Sequence, residues 1–142
     1  MTTIQFRVPG KPVGKQHKTM GGRLFPTQNS RAFMERIRAA GASAMLGLAP
    51  FAGSVELLVV VTYEVPVSFS KKKRALVLSL DQPYWGPYDL DNYLKCVLDG
   101  LKGVAFEDDR QVTRITADKR PGETPGVWIS VMTETPDDPE LP

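Results

Sequence analysis

The sequence predicts a single α+β domain: a mixed β-sheet with helices mainly on one face, in the order β-α-β-(short α)-α-β-β. Three observations carry this. Val55 to Tyr63 is a nearly continuous apolar, β-branched run, which suits a strand in the middle of a sheet and covered on both faces. Two stretches with apolar residues at helical spacing stand on either side of it and supply a covering layer. Short alternating segments near the two ends of the chain supply further strands. With 142 residues, 42% hydrophobic and 24% charged, the chain can bury one core and needs no second domain. Residues 1–133 are read as that domain, and 134–142, acidic and proline-rich, as a disordered tail.

The elements follow in order. Thr3 to Val8 opens as a strand in which Ile4, Phe6 and Val8 alternate, and Gly10, Pro12 and Gly14 break it. The stretch GKPVGKQHKTMGGRLFP reads as a long basic loop or irregular hairpin with Gly21 and Gly22 at its tip. It is not a phosphate-binding P-loop, because its glycines are too closely spaced and Gln16 stands where a Ser or Thr would hold magnesium. From Thr27 or Asn29 a helix runs to Leu46, with Phe33, Ile37, Ala40 and Ala44 inward, Arg31, Glu35 and Arg38 outward, and Gly47 as its stop. Pro66 ends the central strand, and Ser70 caps a short basic helix through Leu78. DQPYWGPY is an ordered loop in which Trp85 serves either packing or a DNA-facing role. A second long helix follows Pro87, its apolar face made of Leu90, Leu94, Val97, Leu98 and Leu101, with Gly103 as the C′ residue that ends it. Val112 to Lys119 is a strand, Pro121 to Gly126 a turn, and Val127 to Met132 the last strand.

The chemistry concentrates between Tyr88 and Gln111. Asp89 and Asp91 precede the helix and Glu107, Asp108 and Asp109 follow it, while Asp91, Lys95, Asp99 and Lys102 line one charged face. Residues two apart in a helix diverge by about 200°, so Asp89 and Asp91 converge on one ion only if Asp89 lies before the first turn. Two carboxylates about 4 Å apart repel by roughly 4 kcal/mol at an effective dielectric of 20, a cost that a cation offsets. Against the metal reading stands a structural one: Asp89 caps the helix, Asp91 and Lys95 form an exposed pair, and residues 107–109 are a solvated turn.

Charge is unevenly spread. The net charge is +2, yet Lys11, Lys15, Lys18, Arg23, Arg31, Arg36 and Arg38 face only Glu35 across residues 11–38, and Lys71, Lys72, Lys73 and Arg74 run together. The last nine residues hold four acids, so the domain itself is more basic than the chain. Cations around an acidic centre suit a polyanionic substrate. Phe25, inside the basic loop, either stacks on exposed bases or anchors the loop to the core. His17 is the only histidine, which excludes histidine-rich zinc sites and argues against a Ser or Cys triad. Cys96 is the only cysteine, suits a reducing compartment and is assigned to packing. No apolar run spans a membrane and no signal peptide is evident, so a cytoplasmic protein without membrane partners is expected.

DLDNYLKCVLDGL followed by GVAFEDDRQV resembles the signature of RusA-type Holliday-junction resolvases, and the basic loop leading into LFPTQNSRAF resembles the same family's N-terminal part. The resemblance extends to about Thr133. It implies a homodimeric, Mg²⁺-dependent endodeoxyribonuclease, with Mn²⁺ as a substitute, that resolves four-way DNA junctions by paired nicks and associates with the nucleoid through DNA. It implies that Asp89, Asp91 and Asp109 bind the metal, with Asp108 as a further candidate, that Lys95 stabilises the transition state, and that Asn92 supports the site. A metal-activated water attacking a phosphodiester is the implied chemistry. Lys11, Lys15, Lys18, Arg23, Phe25, Arg31, Lys71, Lys72, Lys73 and Arg74 are the expected DNA contacts. The chain departs from the family in having Gly86-Pro87-Tyr88 where a basic residue and proline often precede the first aspartate. The alternatives are a catalytically silent junction- or DNA-binding protein, a nuclease of broader branched-DNA specificity, and a calcium-stabilised domain; the last lacks the EF-hand spacing.

Overall fold

The computed structural model describes residues 1–134. Of the expected acidic tail, Glu134 is exposed and residues 135–142 lie outside the described residues. Along the chain come β1 (Thr2–Pro9), β2 (His17–Met20), β3 (Arg23–Pro26), α1 (Gln28–Met45), β4 (Val55–Tyr63), α2 (Lys71–Leu78), α3 (Leu90–Leu101), a 3₁₀ turn (Asp109–Gln111), β5 (Val112–Pro121) and β6 (Gly126–Thr133). The expected order is present, and the basic segment is a separate two-stranded hairpin, β2–β3. Gly21 (φ 57°) and Gly22 (φ 77°) make its tip, the backbone that a tight two-residue hairpin turn requires.

The main sheet has the order β1-β6-β4-β5, with β4 and β5 parallel and the other pairs antiparallel. Parallel neighbours need a long crossover, and α2 and α3 occupy it. The apolar run of β4 is therefore central. Its alternate residues Val55, Leu57, Val59 and Val61 join Ile4, Val8, Val127, Ile129 and Val131 in a core capped by α1 and α3. The other face of β4 corrects the expectation of cover on both sides. Glu56, Leu58, Val60 and Thr62 are only half-buried: α1 and α3 pack on the opposite, core face, and on this face the register neighbours include Met132 and Trp128.

α1 starts at the Thr27 cap, whose hydroxyl accepts from the Ser30 N–H, and ends at Leu46 and Gly47, both with positive φ. Its buried row is Ser30, Phe33, Ile37, Gly41 and Met45, so Ala40 and Ala44 sit at the margin of the core and not in its centre. Gly41 is the reason. A Cβ there would come within 2.9 Å of Leu101 Cδ2, and one at Gly100 within 2.8 Å of Ile37 Cγ2. The two glycines let α1 and α3 approach closely, which turns both helices toward each other.

α3 is rotated from expectation for the same reason. Tyr93, Cys96, Val97, Gly100 and Leu101 are buried, while Leu90, Leu94 and Leu98 are half-buried. Tyr93 takes the central place, its ring edge-to-face with Tyr88 at 5.5 Å. Cys96 is fully buried, and burial pushes its thiol up to about 11, consistent with a packing role.

Candidate active site

The N-terminal end of α3 is built differently from an ordinary helix start. Asp89 is the N-cap, with φ −68° and ψ 148°, so it lies before the first turn. An aspartate in this position normally accepts from the backbone N–H two or three residues on. Here the Asp89 side chain accepts no such bond and is exposed; the first turn closes through its main-chain carbonyl, which accepts from Asn92 N–H at 3.1 Å. Asp91 follows in the first turn, and Lys95 Nζ stands 3.6 Å from Asp91 Oδ2 with both side chains largely exposed. Such a pair adds little to stability.

Contacts from the basic loop and from the sheet fix this end in place. The Lys15 N–H donates to the Asn92 carbonyl at 2.9 Å, and the Lys15 side chain forms an ion pair with Asp99. Gly14 lies so close to Tyr88 that a Cβ would be 2.5 Å from Tyr88 Cδ1, and its carbonyl accepts from Ser30 Oγ at 2.9 Å. From the sheet side, Lys119 Nζ donates to the Tyr88 carbonyl at 2.8 Å and also to that of Trp85. The basic loop, α1, β5 and α3 thus meet at the residue before Asp89.

Lys119 was not singled out from the sequence. The signal was present: it shares the strand face of Ile115 and Ala117, opposite Val61 in register, where a lysine must find partners. Asn92 contributes its main chain to this docking.

The other end of α3 uses its polar groups up. Gly103 (φ 83°) ends the helix as expected, and Arg38 donates to the Asp99 and Lys102 carbonyls at 3.0 Å each. Asp108 caps the 3₁₀ turn, accepting from Arg110 N, Nε and Nη2, and the side-chain bond to the Arg110 guanidinium holds its carboxyl down at about 2. Gln111 completes a capping box and donates to the carbonyls of Phe51 and Gly53. This leaves Glu107 and Asp109 exposed and without an ion pair among the described residues.

The two acidic groups are therefore at opposite ends of one helix. Twelve residues of α3, at a rise of 1.5 Å, extend about 18 Å. Gln111 pins the Asp109 side to the start of β4, whereas Lys119, seven residues further along β5, reaches Tyr88. Within one chain an ion pair joins Asp91 to Lys95 and Asp89 precedes them at the cap, while among the described residues no side-chain contact links Asp109 to either. Among the described residues no three His, Cys, Asp or Glu side chains form a group able to hold a metal ion. Two carboxylates alone still fit Mg²⁺, which keeps most of its waters and takes one or two protein carboxylates plus substrate phosphate oxygens. The uncapped Asp89 carboxylate and the hard-oxygen donor set agree with that chemistry.

The expected DNA contacts divide in two. Lys15 is engaged by Asp99, Arg74 donates to the Val65 and Pro66 carbonyls, and Lys73 lies 3.8 Å over the Phe69 ring. Lys11, Lys18, Arg23, Arg31, Lys71 and Lys72 have no ion-pair partner among the described residues. Arg36 and Arg38, which added to the basic count, hold main-chain carbonyls. Phe25 is 41% exposed and Trp85 79%, so neither is a core anchor, and Leu24 at the hairpin is 70% exposed. No helix among the described residues is long and apolar enough to cross a membrane.

Comparison with known proteins agrees with the motif. No curated protein matches the chain. The family model described as endodeoxyribonuclease RusA matches residues 9–132, a span that runs from the end of β1 through the basic hairpin, both ends of α3 and almost all of β6. The chain belongs to the RusA endodeoxyribonuclease family.

Proposed function

We propose that the protein is a Mg²⁺-dependent nuclease that nicks four-way DNA junctions, acting as a two-fold homodimer on the nucleoid in the cytoplasm. The observation that carries this reading is the uncapped N-terminus of α3: Asp89 exposed at the cap and Asp91 with Lys95 in the turn after it, on a backbone held by the basic loop and by β5, with an exposed ion pair that contributes little to stability. Asp89 and Asp91 would hold the cation, Mn²⁺ being an acceptable substitute. A cation held there would supply Lewis acidity toward the phosphate and make a bound water more acidic. Lys95, one turn beyond Asp91, neutralises charge that develops on the phosphoryl oxygens. No side chain needs to become a covalent nucleophile.

Asp109 joins such a site if a second copy provides it. A two-fold axis that sets two α3 segments antiparallel puts the Asp109 end of each against the Asp89 end of the other. Two sites related by that axis also suit a junction, which is resolved by two nicks in strands of like polarity. Asp108, saturated by Arg110, serves the fold of the turn and not the ion. The free cations Lys11, Lys18, Arg23, Arg31, Lys71 and Lys72 would follow phosphates, with Phe25 available to stack on an unpaired base at the branch point.

The test is a side-by-side assay of four-way junction, flap and linear duplex with Mg²⁺, Mn²⁺ or EDTA, using wild type and Asp91→Asn. Nicking of the junction that requires the cation and disappears in the variant, while junction binding persists, supports the reading. Cleavage of linear duplex at the same rate points to a general nuclease, and binding without any cutting points to a silent junction-binding protein.

A further inference from the structure

The sheet has two edges. β1 forms one, and its exposed row of Thr3, Gln5 and Arg7 carries a single positive charge and no acid. β5 forms the other, ten residues long, with Thr113, Arg114, Ile115 and Thr116 all exposed and nothing paired to its outer side among the described residues. A long bare edge with an exposed isoleucine is a template for another strand. Neither Arg114 nor Asp118 has an ion-pair partner among the described residues.

We infer that two copies of the chain pair antiparallel through the outer edge of β5, with the two-fold axis at Thr116. The occupant is a second copy because the strand is complementary to its own reverse. In the register centred on Thr116, Arg114 faces the partner's Asp118 and Asp118 faces the partner's Arg114. Ile115 meets the partner's Ala117, and the two Thr116 side chains meet on the axis. Opposite charges, aliphatic pairs and threonine pairs are the cross-strand neighbours that stabilise an antiparallel ladder. A shift of one residue in this register would mix the two faces of the strand and put charge against the core row. The pairing merges two four-stranded sheets into one of eight. It also sets the start of one β5, next to Asp109, beside the end of the other, whose Lys119 carries the Tyr88–Asp89 loop. In this the inference rests on the two-fold reading above and names the surface that reading needs.

The interface can be tested without any activity measurement. Directly opposed residues of an antiparallel pair have Cα atoms roughly 4.5–5.5 Å apart, within disulfide range. Thr116→Cys should therefore cross-link to a covalent dimer on mild oxidation, since the native Cys96 is buried and does not compete. Arg114→Asp should weaken the dimer about tenfold in sedimentation equilibrium, by placing like charges opposite each other twice. The exchange Arg114→Asp with Asp118→Arg should restore it. If wild type is dimeric but Thr116→Cys stays uncross-linked, or the exchanged pair is as weak as the single reversal, the edge assignment is overturned while the two-fold reading stands. If wild type remains monomeric with and without junction DNA, both fall.

Discussion

The two ends of α3 have similar acidic content and opposite use. At the C-terminal end, Asp108 accepts from three donors of Arg110, Gln111 staples the turn to the loop before β4, and Arg38 takes the last helical carbonyls. At the N-terminal end, Asp89 occupies a capping position without capping, and Asp91 has only a loose exposed contact with Lys95. The surroundings of this second end are the more heavily braced: the Lys15 N–H and Lys119 Nζ donate to the backbone on either side of Asp89, and Gly14, itself held by Ser30, packs on the Tyr88 ring. Bracing the backbone while leaving carboxylates free is the arrangement expected of a site whose ligands wait for a cation and a phosphate, with their supports already formed.

The contrast is tested most severely at the free end. Asp89→Asn or Asp91→Asn should reduce junction cleavage by about 10³-fold or more, in line with removal of a group that stabilises the transition state, and leave the melting temperature within a degree or two of wild type. Asp108→Asn should leave cleavage near the wild-type rate and lower the melting temperature only slightly. A loss of stability from Asp91→Asn as large as that from Asp108→Asn would erase the distinction between the ends.

Mixing variants sharpens it. If each site takes Asp89 and Asp91 from one chain and Asp109 from the other, a doubly tagged heterodimer of Asp89→Asn with Asp109→Asn regains one intact site. It should nick at about half the wild-type rate and seldom complete both cuts. A heterodimer of Asp89→Asn with Asp91→Asn should stay inactive, because each of its sites carries one defect. Equal inactivity of both mixtures would mean that the three carboxylates act within one chain or that Asp109 acts elsewhere.

The bracing is next in size. Lys119→Met removes the donor to the Tyr88 carbonyl and should lower cleavage by about 10–100-fold, the usual effect of a group that orients ligands from behind. Gly14→Ala drives a methyl into the Tyr88 ring and should cost about 1–3 kcal/mol by displacing the loop. For both, excess Mg²⁺ should recover part of the cleavage, which a defect in Lys95 would not allow.

Much of this was legible in the sequence because periodicity and punctuation reported it. Alternation in β1 and β6, the β-branched run of β4, Thr27 and Ser70 as caps and Gly103 as a stop all fell where expected, with β1, β5 and β6 each two residues longer. What the pattern could not carry was anything decided by the third dimension. Leu90, Leu94 and Leu98 look like the core face of α3 until Gly41 and Gly100 bring α1 close and rotate the helix onto Tyr93 and Cys96. The run of β4 reads as covered on both faces, yet helices lie on one. Asp89 before the first turn was foreseeable from Pro87, but the 18 Å of helix that parts it from Asp109 follows only when both ends of α3 are tied to opposite ends of β5. That Lys15 holds Asp99, and Arg74 the Val65 and Pro66 carbonyls, could not be read from their charge, because charge alone does not reveal a partner.

The smallest expected effect lies at the saturated end and is a matter of pH. The Arg110 guanidinium depresses the Asp108 carboxyl to about 2 from its ordinary value near 3.8. A carboxyl depressed on folding adds stability that is fully present above its unfolded value and is lost as pH falls through its folded value. Asp108→Asn should thus be slightly less stable than wild type at pH 5 and above, and the two melting curves should converge between about pH 4 and pH 2. Because the pair is exposed, solvent screening keeps the difference small, and high salt should shrink it further. If instead the difference between wild type and Asp108→Asn persists unchanged down to pH 2, the contact with Arg110 is not what ties the turn to the charge of Asp108.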